Sequence, residues 1–380
     1  MVIEKRAEAG ASTRRLGLLS AAAALLISAA APSGAHAQNV MRGDGPPPKA
    51  EPFSITVADP ALEDLIDPYV ALEELGSGFG LTEAPLWVPD GGRGYVLVTG
   101  LLDNVIYKIT PDKEVSVFLD KAGFTGDDPS NTGTQTRSGH SHVILIGPSC
   151  ESFDAQGRLV WCADNDLKVM RLEKDGTRTV MADGHNGKKF SGPNDIAIKS
   201  DGSIYLTDND FGLRGAGKSP LKEMENGIWR IKDGKTDLIL SREKLGGIPN
   251  GIGFSPDEKY LYLTAGRTLK RYTVKRDGTL GDFTVFAEGP GIGDGLKVDT
   301  RGNVFSSGGA GPGIIRITSA DGKFLGTINL PIYGKEPKKQ ICATNLVFGD
   351  PDHKSLFISA CDVVYRVRTK TEGVVAGPGK

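Results

Sequence analysis

Six phrases with the same internal grammar recur along the chain, and that recurrence restricts the fold more than any other feature. They are EAPLWVP (83–89), PSCESFDAQGRLVWCAD (148–164), PNDIAIKSDGSIYLTD (193–208), PNGIGFSPDEKYLYLT (249–264), GDGLKVDTRGNVFSS (293–307) and ATNLVFGDPDHKSLFISA (343–360). Each opens on a polar or small residue, enters a short apolar alternation, turns, and runs into a second alternation. Most successive openings are roughly 44–56 residues apart, the length of a four-stranded propeller blade. The first interval is longer because GFTGDDPSNTGTQTRSGHSH (123–142) reads as an inserted loop.

The turns are of one kind. SDG (200–202), KDG (174–176 and 232–234), RDG (276–278) and ADG (320–322) each join two alternating segments, as hairpins do. Beyond a short helix expected over Pro60–Ile66, no long stretch has helical periodicity. The chain therefore reads as all-β: a six-bladed β-propeller with four-stranded blades. Its last unit has room for about three strands, so an N-terminal strand near Tyr69–Leu75 is expected to close the ring and remove the exposed edges. A two-domain β-sandwich is the alternative, but it would not generate six phased openings.

The ends set the boundaries. Arg14-Arg15, the run LGLLSAAAALLISAAA and Ala35-His36-Ala37 form a secretory signal over 1–37, with the twin-arginine route indicated and the general route open. Residues 38–53 are Pro- and Gly-rich and read as a flexible tail. The propeller is expected over 54–372, with a flexible C-terminus at 373–380. A periplasmic or secreted protein is implied, with no membrane association once the signal is cleaved. Removing the signal moves the formal charge from −2 to −4, and the mature chain has no basic cluster with which to bind nucleic acid. A monomer or weak dimer is expected.

Export permits disulfides among the four cysteines. If residues 150–162 form a hairpin about Ala155-Gln156-Gly157, Cys150 faces Cys162, and Cys342 and Cys361 flank a similar hairpin. Two disulfides and four buried thiols both fit the pattern. No CxxC suggests zinc, and no GxSxG suggests a serine hydrolase.

In a propeller the first strand of each blade lines the axis, and the loop entering it opens at one end of the channel. Glu83, Asn194, Asn250 and Asp294 stand at such entries, so residues far apart in sequence converge on one point. Carboxylate and amide oxygens arranged in this way suit a hard divalent cation, calcium first, with zinc or manganese also able to occupy such a site. A lone Asn before a strand is ordinary turn chemistry. Four equivalent positions carrying Glu, Asn, Asn and Asp are not. Asp195 is read as support for this set, Asp208 as a turn group, and Glu151 as a residue that can reach the channel and bind substrate. His140 and His142 fall in the inserted loop, while Trp87, Trp161 and Trp229 fall in strand patterns and read as packing.

LTEAPLWVP, FSGPNDIAIKSDGSIYLTD, IPNGIGFSPDEKYLYLT, GIGDGLKVDTRGNVF and TNLVFGDPDHKSLFISACDVVYRV resemble the gluconolactonase/regucalcin (senescence marker protein)/luciferin-regenerating enzyme family over residues 54–370. The resemblance implies a six-bladed propeller with one divalent ion in its channel, hydrolysing sugar or related lactones. By motif match it assigns Glu83, Asn194, Asn250 and Asp294 to the metal, Asn194 also to substrate, and Asp294 to the general base. Three departures stand out. Ala84 replaces the Gly of the family's E-G-P, Gly192 replaces an Arg found before the PND equivalent in animal members, and Pro148–Asp154 lacks the usual channel Asn. The functional expectation is an exported metal-dependent lactonase. A metal-dependent ester or organophosphate hydrolase and a non-catalytic ligand-binding propeller with a structural ion are the alternatives.

Overall fold

The computed structural model describes residues 41–42, 49–137, 141–309, 313–333 and 342–376. The signal assigned to 1–37 lies outside these residues. Four-stranded antiparallel sheets follow one another along the chain, each a meander that runs from an inner strand to an outer one. Examples are Pro193–Ile198, Ile204–Asp208, Gly227–Lys232 and Lys235–Ser241, and then Pro249–Phe254, Tyr260–Ala265, Thr268–Val274 and Leu280–Glu288. The turns between them use left-handed residues where the sequence supplies Asp-Gly. Asp233 and Gly234 have φ of 50° and 72°, as a two-residue hairpin turn requires.

Strand alternation decides how the sheets stack. Ile196, Leu206 and Trp229 face the preceding sheet, where they meet Val160, Val169 and the Cys150–Cys162 pair. One residue out of phase, Ala197, Tyr205 and Ile228 face the following sheet and meet Ile252, Leu261 and Leu263. Both faces of a blade are thus apolar, because each is buried against a neighbour, and the ring of such contacts is a β-propeller.

The hydrogen-bonded sheets do not divide as the sequence suggests. Among the described residues there are five large sheets, rather than six separate four-stranded ones. The reason is strand continuity. Leu72–Val88 and Ser355–Arg368 each run through what the repeat pattern treats as a boundary, joining the strands of the first and last units into one six-stranded sheet. Left-handed residues bend both elements, at Gly78 and Gly80 in the first and at Cys361 in the second. Ring closure comes from residues 72–77, with Leu72 opposite Val367 and Ser77 opposite Val363, whereas Tyr69 is 95% exposed.

A second sheet is widened to five strands by Ser54–Val57, which pairs with Phe324–Asn329. The short helix near residue 60 is a 3-10 turn, Pro60–Asp64, capped by the Asp59 side chain. Just outside the expected propeller limits, Glu51 bridges to Ile332 and the Val374 N–H donates to Val298. Among the described residues no helix is long and apolar enough to cross a membrane.

Candidate active site

The four entry residues are half-buried, while their chain neighbours at 84, 193, 195, 249, 251 and 295 are buried. Local geometry turns them out of the strand alternation. Register shifts fall between Glu83 and Leu86, Pro193 and Asp195, and Pro249 and Ile252. A bulge at the start of a strand re-aims the side chain it carries. Asp294 precedes its strand between two glycines, and its carboxylate rests against Gly309, where any Cβ would come within 2.9 Å of Oδ2.

A second device recurs one residue further on. Hydroxyls on the adjoining strand take up the backbone there: the Asp195 N–H donates to Thr207 Oγ1 (2.9 Å), the Gly251 N–H to Thr264 Oγ1 (2.8 Å) and the Asn345 N–H to Ser359 Oγ (3.0 Å). In the second repeat the same register position holds Cys162 opposite Cys150, and the two are joined by a disulfide with Cα atoms 4.9 Å apart. There a covalent bond replaces the hydroxyl contact. Cys342 and Cys361 form the other disulfide, at the entry to the last repeat.

Electrostatics bring the expected residues together. Burial raises the Glu83 carboxyl well above its ordinary range, and repulsion from Asp294 and then Asp195 adds to this. Asp195 is also raised by burial, against the opposing pull of Lys297. Three carboxylates and one ammonium therefore share the mouth of the channel with a net charge of −2 when ionised. Asn194 Oδ1 is shielded from solvent and has no protein hydrogen-bond partner. Excess negative charge at Glu83, Asp195 and Asp294, with an orphaned amide oxygen on the residue just before Asp195, fits a divalent cation, which would offset the one and coordinate the other. Among the described residues no three His, Cys, Asp or Glu side chains cluster as a ligand set; the set here has two carboxylates and two amides.

Other sequence assignments resolve individually. Asp195 Oδ1 accepts from the Ile196 N–H (2.8 Å) and Oδ2 from the Ile252 N–H (3.3 Å), so it braces two neighbouring inner strands. Asp208 accepts from the Ser191 and Gly192 N–H groups, the latter at 2.7 Å, and so anchors the loop that delivers Asn194. Burial pushes Asp208 up to about 7, and burial together with repulsion from Asp208 pushes Asp164 up to about 8.

Gly192 leaves no space for a side chain, since a Cβ there would lie 2.7 Å from Asp164 Oδ1 and from the Asn209 carbonyl. Ala84, where the resembled family has Gly, sits at φ 41° and its N–H donates to Glu83 Oε2 (2.8 Å). Ser149, at the entry of the altered second repeat, turns away and donates to the Pro193 carbonyl (2.6 Å). Trp87 stacks on Phe357, and Trp161 donates to the Ala122 carbonyl. His140 and the side chain of His142 lie outside the described residues.

Beneath the entry residues, the inner strands enclose a cavity of about 80 Å³ lined by Glu151, Lys297, Ile196, Ile252 and Leu296 and bordered at the other end by Val374–Ala376. Glu151 takes the register position held by Ile196 in the next repeat. It is 8% exposed, and neither carboxylate oxygen has a protein partner. Burial alone raises its pKa well above the usual carboxylate value.

Sequence reasoning missed Asn345 and Lys297. Lys297 Nζ donates to Asn345 Oδ1 (3.2 Å) and to the Leu296 carbonyl (3.0 Å). The signal was available, since Asn345 stands in the sixth opening phrase and Lys297 is the charged residue in an otherwise apolar inner strand.

The fold and the axial site together define a class: β-propeller proteins with a carboxylate- and amide-lined channel mouth. Residues 81–362 match the family described as SMP-30/Gluconolactonase/LRE-like region, and the chain belongs to that family. It is 33% identical over 339 residues to a gluconolactonase of Zymomonas mobilis, covering 84% of this chain and 87% of that one. Among solved structures it resembles a gluconolactonase from Xanthomonas campestris (25% identity, TM-score 0.65, 86% of this chain and 99% of that chain). It also resembles the calcium-binding protein regucalcin from Agrobacterium tumefaciens (17% identity, TM-score 0.60, 82% and 98%). At that identity, the second likeness concerns the fold alone.

Proposed function

We propose that this protein is an exported lactonase that hydrolyses a sugar or related lactone with the help of one divalent cation, calcium first. One observation carries the reading: Glu83 and Asp294 repel one another at the channel mouth, beside an Asn194 oxygen that lacks a partner. Membership of the family and the gluconolactonase name of the Zymomonas relative support it. Glu83, Asn194, Asn250 and Asp294 would hold the cation. When bound, such an ion polarises a carbonyl and offsets the negative charge that develops on its oxygen.

The remaining chemistry belongs to the chain. Asp294 takes a proton from the attacking water at a carboxylate oxygen, so that the water oxygen adds to the lactone carbonyl carbon. As the ring C–O bond breaks, the same carboxyl returns the proton to the departing ring oxygen, and the product is the open hydroxy acid. Backbone bonds hold Asp294 in place during both transfers, since its carbonyl accepts from Thr264 Oγ1 (2.8 Å) and its N–H donates to the Ser307 carbonyl (3.1 Å). The Asn194 amide serves both cation and substrate, while Glu151 faces the substrate from the cavity below. The six-stranded sheet is read as two fused blades, which retains six repeats about the axis, and the N-terminal segment directs the chain to the periplasm or outside the cell.

Proton release across a panel of γ- and δ-lactones, aryl esters and organophosphates tests this reading, after chelation and add-back of calcium, zinc or manganese. Sugar lactones should be preferred and chelation should abolish turnover. Asp294→Asn should lower kcat/KM by about 10²–10⁴-fold, the usual contribution of a general base. Metal-independent turnover, or an Asp294→Asn variant as active as wild type, would refute it.

A further inference from the structure

The Asn345 side chain has four hydrogen-bonding positions, two on its oxygen and two on its nitrogen. Its Oδ1 faces two donors, the Leu346 N–H at 2.9 Å and Lys297 Nζ at 3.2 Å. Since both are donors, they fix which end of the amide is oxygen. The nitrogen end is therefore the one within hydrogen-bonding reach of the Glu83 and Asp195 carboxylates. The residue is 2% exposed. It occupies space that only glycine leaves open, because a Cβ on Gly295 would lie 2.2 Å from the Asn345 amide. Glu83, Asp195, Lys297 and Asn345 come from four different inner strands. One amide thus ties together four segments that share no local sequence.

We propose that Asn345 is a positioning residue for the axial cation site, its amide pinned by Lys297 and holding the Glu83 and Asp195 carboxylates in fixed relation across the channel. This rests on the cation reading given above. An amide suits the position for a physical reason. It donates to two carboxylates without adding charge, so the excess negative charge at the mouth is left for the ion. Its oxygen is already occupied by two donors, so Asn345 is not itself a ligand. Lys297 satisfies the amide oxygen and tempers Asp195.

Calorimetric titration of the metal-free protein with calcium ions alone tests the assignment, with lactone turnover at saturating calcium as a second readout. Loss of an outer partner of a metal ligand commonly weakens metal binding by about 10–100-fold, and Asn345→Leu should raise the calcium Kd by that factor. Its kcat at saturating calcium should recover far more than its affinity does. Asn345→Ala should raise the Kd in the same way, and Lys297→Arg, which keeps both the charge and the donor, should leave it near wild type. A variant that only loosens packing, Asn303→Ala, which removes the 2.7 Å bond to Asp299 at a turn away from the site, should lower Tm and leave the calcium Kd unchanged. If Asn345→Leu does not fold, Asn345→Ala decides. An unchanged Kd in Asn345→Leu, or in Asn345→Ala where only that variant folds, overturns the assignment while leaving the cation site standing. Failure of wild type to bind calcium overturns both.

Discussion

Replacing Glu151 by Gln should make the protein more stable at neutral pH and leave it nearly unchanged at pH 5. In the folded chain the carboxyl is shut away from solvent with both oxygens unpartnered, and its pKa is raised well above 4.5 by burial. In the unfolded chain it ionises near 4.5. Between those two values the folded state binds more protons than the unfolded state, so stability falls as pH rises and is fully present only below the unfolded pKa. Each pH unit in that window is worth about 1.4 kcal/mol of stability withdrawn. Gln has nearly the same shape and cannot ionise. The stability difference between Glu151→Gln and wild type, from urea unfolding followed by tryptophan fluorescence, should therefore widen as pH rises from 5 to 7. Glu151→Leu, which copies the apolar residues at this register in other repeats, should show the same pH dependence. A difference independent of pH would mean that Glu151 ionises in the fold, and the account of the cavity would be wrong.

Two other expectations follow from the geometry of the entries. Replacing both Cys150 and Cys162 by Ala removes a cross-link spanning 12 residues, which should lower stability by about 3 kcal/mol by chemical denaturation. Cys162→Thr in the same background should recover part of that loss by restoring the hydroxyl contact made by Thr207 and Thr264, and no recovery would refute the equivalence of those positions. Ala84→Gly should stabilise the chain by up to about 1 kcal/mol, because a left-handed backbone is strained for Ala and relaxed for Gly; an unchanged or lowered Tm would show that the φ of 41° carries no strain.

Much of the fold was legible because local rules and the tertiary outcome agree. Asp-Gly turns between alternating segments specify hairpins, and a repeat of blade length leaves few ways to bury both faces of each sheet. The entry residues were legible for the same reason: phase in the repeat placed Glu83, Asn194, Asn250 and Asp294 at one end of the axis. The number of sheets was not. Whether Leu72–Val88 and Ser355–Arg368 continue or break depends on which backbone groups find partners across the closure, and no local sequence signal reports that.

The sequence by itself determined that this chain is an all-β propeller whose strand entries carry oxygen donors, since periodicity, turn chemistry and phase are local properties that repeat. Only the tertiary structure decided how those donors relate to one another. The repulsion between Glu83 and Asp294, the bracing of two inner strands by Asp195, the pairing of Asn345 with Lys297 and the isolation of Glu151 all depend on distances between strands far apart in the chain. Electrostatic and hydrogen-bond energies depend on separation in space and on burial, and neither quantity exists until the ring has closed.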